Sequence, residues 1–159
     1  MDSLSHRLWF CIEFLARLPL SPMSATMPEE ASVSTFARLL RAALVVYWLA
    51  MFAASHTPRT PDLLPVEGGD KIVHFSAYGL LALLCALDRQ LRGLMSRTSL
   101  LRIAGLLAIY GVVDELLQYP IDGRTCDAFD WIADVAGITV GLGLFALQRR
   151  LRGRSTTPG

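Results

Sequence analysis

The hydrophobic positions of the chain fall into four long runs that short polar segments separate. The runs cover residues 39–55, 71–87, 100–119 and 128–147. Apolar side chains fill these runs without the ten-residue alternation that membrane strands show, so the pattern predicts α-helices. A helix needs about 20 residues to cross a bilayer, and the second run reaches that length by continuing to residue 94. We therefore predict an all-α fold, an integral membrane bundle of four transmembrane helices.

The composition favours a membrane as the surroundings of these helices. Hydrophobic residues make up 53% of the chain and charged residues 18%, and the mean hydropathy is +0.43. A soluble domain has roughly 45–50% apolar and about 25% charged residues. The first run has a competing interpretation as a signal peptide that is cleaved near Ala53 and Ser55. Because three more apolar runs follow, we favour an uncleaved span.

The two ends of the chain differ from its middle. We predict a four-helix transmembrane domain at 36–148, preceded by a segment at 1–35 and followed by a basic cytoplasmic tail at 149–159. Prolines interrupt the amino-terminal segment, which we expect to be either poorly ordered or an interfacial amphipathic helix. A third alternative is that the protein starts at Met23 or Met27, so that this segment is not part of it.

Positive charges are distributed unequally among the segments between the runs. The segment before the first run, the turn after the second run and the tail carry Arg38, Arg41, Arg89, Arg92, Arg97, Arg102 and four tail arginines. The other two loops carry only Arg59, Lys71 and Arg124. Since cytoplasmic loops are enriched in Arg and Lys, we expect both termini to be cytoplasmic in a multi-pass protein of the cell (inner or plasma) membrane. The loop 57–70 and the turn 120–127 then face outward together.

Polar side chains gather at the outward ends of the last three runs. Their spacing of three or four residues places them along one face of each helix. Ionisable residues inside a membrane face a bundle interior or a cavity and pair with one another. We therefore predict one outward-facing site in which Lys71 and Arg124 balance several carboxylates. Its residues are Asp70, Lys71, His74, Tyr78, Glu115, Gln118, Arg124, Asp130 and Asp134.

Several of these positions also have a purely structural explanation. Gly137 and Gly141 are spaced as in closely packed helices, and Tyr78 fits an interfacial aromatic belt. His74 alone is more often a packing residue. Glu115 is the hardest to explain in this way, because it lies about one turn inside an apolar helix next to a second acid. The three cysteines show no CxxC or Cys/His spacing, and we assign no metal ligand and no cofactor.

At these positions the chain resembles the VanZ-like family of small integral membrane proteins, named for an accessory protein linked to glycopeptide (teicoplanin) resistance. The resemblance covers about residues 39–147. The family pattern has Asp-Lys-x-x-His before a Tyr, then Glu-x-x-Gln, an Arg six residues before an Asp, and spaced glycines. The matching residues are Asp70, Lys71, His74, Tyr78, Glu115, Gln118, Arg124, Asp130, Gly137 and Gly141. Asp134 departs from the pattern, which usually has Asn there, and adds a carboxylate to an acidic site.

Three classes of function fit these residues. We favour a protein that binds or protects an envelope ligand, either a lipid-linked precursor or an amphiphilic lipoglycopeptide, with Lys71 and Arg124 contacting phosphate or carboxylate. The resemblance adds a role related to glycopeptide resistance. The second class is a structural or partner-docking membrane protein whose charges join the helices. The third is a membrane enzyme acting on a lipid-linked substrate, with Glu115 and His74 as general acid and base.

The enzyme hypothesis ranks third because the chain lacks the common catalytic motifs. It has no nucleophile elbow, no Gly-rich phosphate loop and no HExxH. Several acids together with His74 could also hold a divalent cation in such an enzyme. The expected partners are membrane lipids and the amphiphilic ligand, without nucleic acid. The sequence does not determine the oligomeric state. Transport is a fourth and weaker hypothesis, for which a protein of four spans would need to dimerise.

Overall fold

The structure is a computed structural model of the chain that describes residues 28–58, 68–121 and 126–154. It is all-helical over these residues. The helices are α1 (Pro28–Ser55), α2 (Gly69–Leu91), α3 (Arg97–Gln118) and α4 (Ala128–Arg154). The all-α class predicted from the sequence is confirmed. The predicted site residue Arg124, and residues 1–27 of the amino-terminal segment, lie outside the described residues.

The helices begin and end somewhat differently from the predicted domain boundaries. Helix α1 starts at Pro28, so the last residues of the segment 1–35 are continuous with the first apolar helix. Helix α4 continues to Arg154, so the first tail arginines are helical. The contacts described below all lie within the compact unit Val33–Gly159.

Three of the four helices are long and apolar enough to cross a membrane. These stretches are Val33–Ser55 in α1, Gly69–Leu91 in α2 and Ala128–Arg152 in α4. Helix α3 is not apolar enough by the same criterion, so the fourth span predicted from the sequence is not confirmed. The physical reason is the number of ionisable side chains, because every 18-residue stretch of α3 contains three of its four acidic and basic residues. These are Arg97, Arg102, Asp114 and Glu115.

Helices α2 and α4 pack closely because glycines lie where the two backbones approach. A Cβ atom added to Gly137 would overlap the carbonyl oxygen of Phe75, and one added to Gly141 would overlap the carbonyl oxygen of Gly79. A side chain at either position would therefore force the helices apart. The small-residue spacing predicted from the sequence thus serves helix packing.

A buried apolar core continues along this α2–α4 contact. Its side chains are at most 8% exposed, and they come only from α2 and α4. They are Tyr78, Leu81, Ala82, Ala86, Ile138, Leu142 and Phe145. Helix α3 packs against the other two, and the indole Nε1 of Trp131 on α4 donates to the Ala108 carbonyl oxygen at 3.0 Å. Burying an indole N–H in this way requires such a partner.

Helix α1 is joined to the other helices through long side chains. The Tyr47 hydroxyl donates to the carbonyl oxygen of Ala77 at 3.0 Å. Arg41 Nε donates to Asp88 Oδ1 at 3.2 Å, which gives the buried carboxylate of Asp88 a partner.

The start of α3 is fixed by a capping box. The Ser96 hydroxyl accepts from the backbone N–H of Ser99 at 3.1 Å, and the Ser99 hydroxyl accepts from the backbone N–H of Ser96 at 3.1 Å. These bonds satisfy backbone N–H groups at the helix start, where the Ser99 N–H also lies 3.2 Å from the Ser96 carbonyl oxygen. This cap lies at the opposite end of the helices from the site described next.

Candidate functional site

Charged side chains meet at the end of the molecule where α1 and α3 end and where α2 and α4 begin. We call it the acidic end. The side chains form three groups, which we define by their residues below. Each group joins at least two helices, so helix packing and not chain proximity brings its members together.

The first group, the Lys71 cluster, consists of one lysine and three aspartates. Lys71 Nζ lies 3.2 Å from Asp70 Oδ2, 3.0 Å from Asp127 Oδ2 and 3.0 Å from Asp130 Oδ1. An ammonium group has three protons, so each can be directed at one carboxylate. The Lys71 side chain is 37% exposed, which places this cluster at the surface of the acidic end.

Asp127 marks the start of α4 and lies just outside the helix. Its Oδ1 accepts from the backbone N–H of Phe129 at 2.9 Å. This bond, and next to it the contact with Lys71, holds the pKa of the Asp127 carboxyl below its ordinary value, because both favour the charged form. Asp127 therefore stays ionised and keeps its contact with Lys71 under ordinary conditions.

The second group, the His74 cluster, consists of His74, Glu115 and Asp134 from three different helices. His74 Nδ1 lies 3.0 Å from Asp134 Oδ1. Glu115 Oε2 accepts from the backbone N–H of Asp127 at 3.1 Å, which links this group to the Lys71 cluster. Asp134 is 1% exposed and Glu115 4%. The His74 cluster is therefore the inner part of the same site.

Polar atoms in and beside the His74 cluster lack hydrogen-bond partners among the described residues. They are Glu115 Oε1, Asp134 Oδ2 and the hydroxyl of Tyr78. Tyr78 is 2% exposed and lies about one helical turn after His74 in α2. An unsatisfied buried polar group costs about 1–3 kcal/mol. Three such groups together indicate a place where something other than these side chains supplies the partner.

Gly111 on α3 packs closely beside one of these atoms. A Cβ atom added at Gly111 would lie 3.1 Å from Asp134 Oδ2 and 3.2 Å from Trp131 Cδ1. A larger residue at position 111 would therefore push against the unpartnered oxygen and the Trp131 ring.

The third group, the Asp114 cluster, joins the end of α1 to α3. Asp114 Oδ1 accepts from the Ser55 hydroxyl at 3.1 Å, and Asp114 Oδ2 accepts from Gln118 Nε2 at 3.2 Å. His56 Nδ1 lies 3.7 Å from Asp114 Oδ1, and its ring stacks on Phe52 with a centroid distance of 4.0 Å. Both carboxylate oxygens of Asp114 therefore have partners.

The Ser, His and Asp of this third group do not form a catalytic triad. A triad uses both ring nitrogens, one facing the serine and the other the aspartate. Here Ser55 Oγ lies 2.9 Å from His56 Nδ1, the same nitrogen that faces Asp114. The other nitrogen, Nε2, has no partner among the described residues. The arrangement stabilises the end of α1 and gives no nucleophile.

The structure brings most residues of the predicted site together, but in separate clusters. Asp70 and Asp130 contact Lys71, whereas Asp134 and Glu115 accompany His74. The sequence motif groups Gln118 with Glu115. In the structure, however, the Gln118 side chain belongs to the Asp114 cluster. Tyr78 lies beneath the His74 cluster, and Arg124 lies outside the described residues. Lys71, which we expected to contact an anionic ligand, already contacts three carboxylates.

Sequence reasoning missed three contributors to the acidic end. Asp127 was part of the outward turn but was not assigned to the site. Ser55 and His56 end the first apolar run, and their position on the same side as Asp114 was the available signal. Periodicity cannot show that α1 reaches α3, because that contact depends on how the helices are arranged around one another.

Two groups of side chains at the acidic end have the spacing of a metal site. In the His74 cluster, one ligand atom from each residue lies within 4.8 Å of the others, and the same holds for Asp70, Asp127 and Asp130. Lys71 Nζ already contacts all three carboxylates of the second set. The His74 cluster combines an imidazole with carboxylates and so fits a metal ion better.

Comparison with known proteins identifies the family. The model of the VanZ/LLP1 family matches residues 10–149, which is well over half of the chain. The match confirms the resemblance predicted from the sequence and extends it into the amino-terminal segment. No curated protein and no solved structure matches the chain.

Proposed function

The chain belongs to the VanZ/LLP1 family and is a VanZ-like membrane protein, and on this premise we propose that its acidic end binds the polar headgroup of an amphiphilic envelope ligand. The ligand is a lipid-linked precursor or a lipoglycopeptide, and binding protects the envelope. The unsatisfied and deeply buried oxygens of Asp134 and Glu115 carry this proposal. They are acceptors that a ligand's donors would satisfy.

The charge of the acidic end favours a ligand group that donates hydrogen bonds or is cationic. Among the described residues at this end, the only candidate cations are Lys71 and the histidines. The carboxylates that face them are Asp70, Asp114, Glu115, Asp127, Asp130 and Asp134. An amine on the headgroup or on the antibiotic matches this excess of acceptors. We propose that Arg124 contacts any anionic group of the ligand, as the sequence predicts.

The proposal includes a topology with four spans and with the acidic end outside the cell. Helix α3 packs with α2 and α4 and exposes a large apolar surface that suits lipid. That surface includes Leu101, Leu106, Ile109, Val113 and Leu116. Most arginines belong to the opposite end, which the positive-inside rule assigns to the cytoplasm. Reporter fusions after residue 122 and at the carboxyl terminus test this: an inside position for residue 122 would refute the outward site.

The function itself is tested by separating protein abundance from phenotype. The chain is expressed in a teicoplanin-susceptible bacterial host, and the amount of protein in the membrane and the inhibitory concentration are both measured. We expect Glu115→Gln to keep its abundance and lose the protection that the wild-type protein gives. The matched control is Asp88→Asn, because Asp88 is also a buried acid but lies on α2 at the other end and contacts Arg41. Equal loss of protection in both variants would contradict the proposed site.

The Lys71 cluster favours a second candidate function, the joining of helices or docking of a partner. Its ion pairs connect the start of α2 to the start of α4, and removal of one partner from a charge cluster leaves the others uncompensated. If this role were the only one, Lys71→Met, His74→Ala and Glu115→Gln would all lower abundance together. The binding proposal instead predicts that abundance falls with Lys71→Met alone.

A further inference from the structure

The two sets of carboxylates at the acidic end differ in what compensates their charge. In the Lys71 cluster, the ammonium group lies 3.0–3.2 Å from all three aspartates. In the His74 cluster, the nearest candidate cation among the described residues is the imidazole itself, 3.0 Å from Asp134 Oδ1. Two buried carboxylates therefore share one histidine. Burial of charge requires compensation, and the inner cluster has less of it than the outer one.

We propose that His74, Glu115 and Asp134 bind a divalent transition-metal ion of the Mn²⁺ or Zn²⁺ class. The three donors come from α2, α3 and α4, and their ligand atoms lie within 4.8 Å of one another. A bound ion would bring such atoms to about 3–3.5 Å, since metal–ligand distances are about 2.0–2.2 Å. Small side-chain rotations are enough for that change.

The atoms without partners support a ligand at this place independently of the spacing. Among the described residues, Asp134 Oδ2 and Glu115 Oε1 have no hydrogen-bond partner, and each belongs to a residue that is at least nine-tenths buried. The hydroxyl of Tyr78, also buried and without a partner among the described residues, belongs to the next turn of α2 after His74. Among the described residues, the Lys71 cluster has no such buried atom without a partner.

The donor set selects the kind of metal ion. One imidazole and two carboxylates suit Zn²⁺, Mn²⁺ or Fe²⁺, whereas Mg²⁺ and Ca²⁺ prefer shells made only of oxygen. The ion would contribute two positive charges beside two carboxylates and would leave coordination positions open to a further group. The ion would bind the same two oxygens that the proposed function assigns to the ligand's donors. Ion and donor are therefore alternative partners for these atoms, and uptake of the ion is measured without added ligand.

The test measures uptake of the ion alone by the full chain. The protein is purified in detergent, freed of metal with a chelator, and titrated separately with ZnCl₂ and MnCl₂ by calorimetry. We expect one ion per chain, and an affinity lowered about tenfold or more in Asp134→Asn. Asn keeps the shape of the side chain and is the usual residue of the family pattern at this position, so the variant should fold. Circular dichroism and the elution volume in size-exclusion chromatography are measured to check that the variant is folded.

Three further variants make the result specific. Gly111→Ala keeps all three donors but places a methyl group beside Asp134 Oδ2, and it should also weaken binding. Asp70→Asn in the Lys71 cluster and Asp88→Asn at the opposite end should bind the ion as the wild-type protein does. Absence of uptake, unchanged uptake in Asp134→Asn, or equal affinity for Mg²⁺ would overturn the proposal. Because the titration adds only the ion, such a failure would leave the proposed function standing.

Discussion

The close approach of α2 and α4 at Gly137 gives a prediction whose size follows from the structure. In Gly137→Ala, the new methyl group meets the carbonyl oxygen of Phe75, lies 2.9 Å from its carbonyl carbon and 3.1 Å from the backbone nitrogen of Gly79. All three atoms belong to the backbone of α2, so no side chain can rotate away. The two helices must therefore separate.

Overpacking of a core costs about 1–3 kcal/mol, and a clash between two backbones belongs at the upper end, about 3 kcal/mol. Replacing Gly by Ala inside a helix returns about 1 kcal/mol of helix propensity. The net expectation is a loss of about 2 kcal/mol. Gly143 on the same helix has no atom within 4 Å of an added Cβ. Gly143→Ala should therefore gain up to about 1 kcal/mol, which makes the two variants differ by about 3 kcal/mol.

The separation would also disturb the candidate site. Phe75 follows His74 in α2, and Gly137 lies within one turn of Asp134 in α4, so pushing the helices apart lengthens the contact between His74 and Asp134, now 3.0 Å. The free energy of unfolding is measured for both variants in mixed detergent micelles. If Gly137→Ala proved as stable as Gly143→Ala, the close packing of these two helices would be refuted.

Three more predictions concern single contacts. Ser96→Ala removes the cap of α3 and should lower the free energy of unfolding by about 1 kcal/mol; Ser96→Asp, which can also cap, should restore it in the same unfolding assay. The lowered pKa of Asp127 means that its contact with Lys71 adds stability above the carboxyl's ordinary pKa of 3.8 and loses it as pH falls through the lowered pKa. Thermal unfolding at decreasing pH should show that this loss is absent in Asp127→Asn. Trp131→Phe removes the indole donor from the Ala108 carbonyl oxygen, which lies within α3, and should cost about 0.5–1.5 kcal/mol, whereas an unchanged melting temperature would show that water replaces the bond.

Much of this architecture follows from the spacing of residues in the chain. Long apolar runs predict the helices, and steps of three or four residues place Lys71 and His74 on one face of α2 and Asp130 and Asp134 on one face of α4. The spaced glycines at 137 and 141 predict close packing. These features depend on the helical repeat alone.

Other features could not be predicted because they depend on how neighbouring helices are rotated about their axes. Apolar side chains cover most of the surface of α1 and of α3. Their periodicity therefore does not show which face of either helix packs against its neighbours. The contact between Ser55 and Asp114 could therefore not be predicted, although both residues lie at the same end of their helices. For the same reason, we expected a single mixed cluster. The structure instead separates the Lys71 cluster, in which the ammonium group compensates the charge of the carboxylates, from the His74 cluster, in which that charge is poorly compensated among the described residues.

This separation changes the expected role of the site. A lysine that already contacts three carboxylates is a poor anchor for phosphate, because a ligand would have to displace existing ion pairs. The buried oxygens of Glu115 and Asp134 are better candidates for contact with a ligand. The binding site is thus expected to recognise donors and cations more than anions.

The most direct measurement of this account is native mass spectrometry of the protein released from membranes in mild detergent. The account predicts that the wild-type protein carries an amphiphilic molecule of defined mass, that Glu115→Gln loses it, and that Asp88→Asn retains it. A bound metal ion would appear as a separate and much smaller mass difference. Wild-type protein without an amphiphile, or equal retention by Glu115→Gln, would contradict the claim that the buried cluster at the acidic end is a binding site.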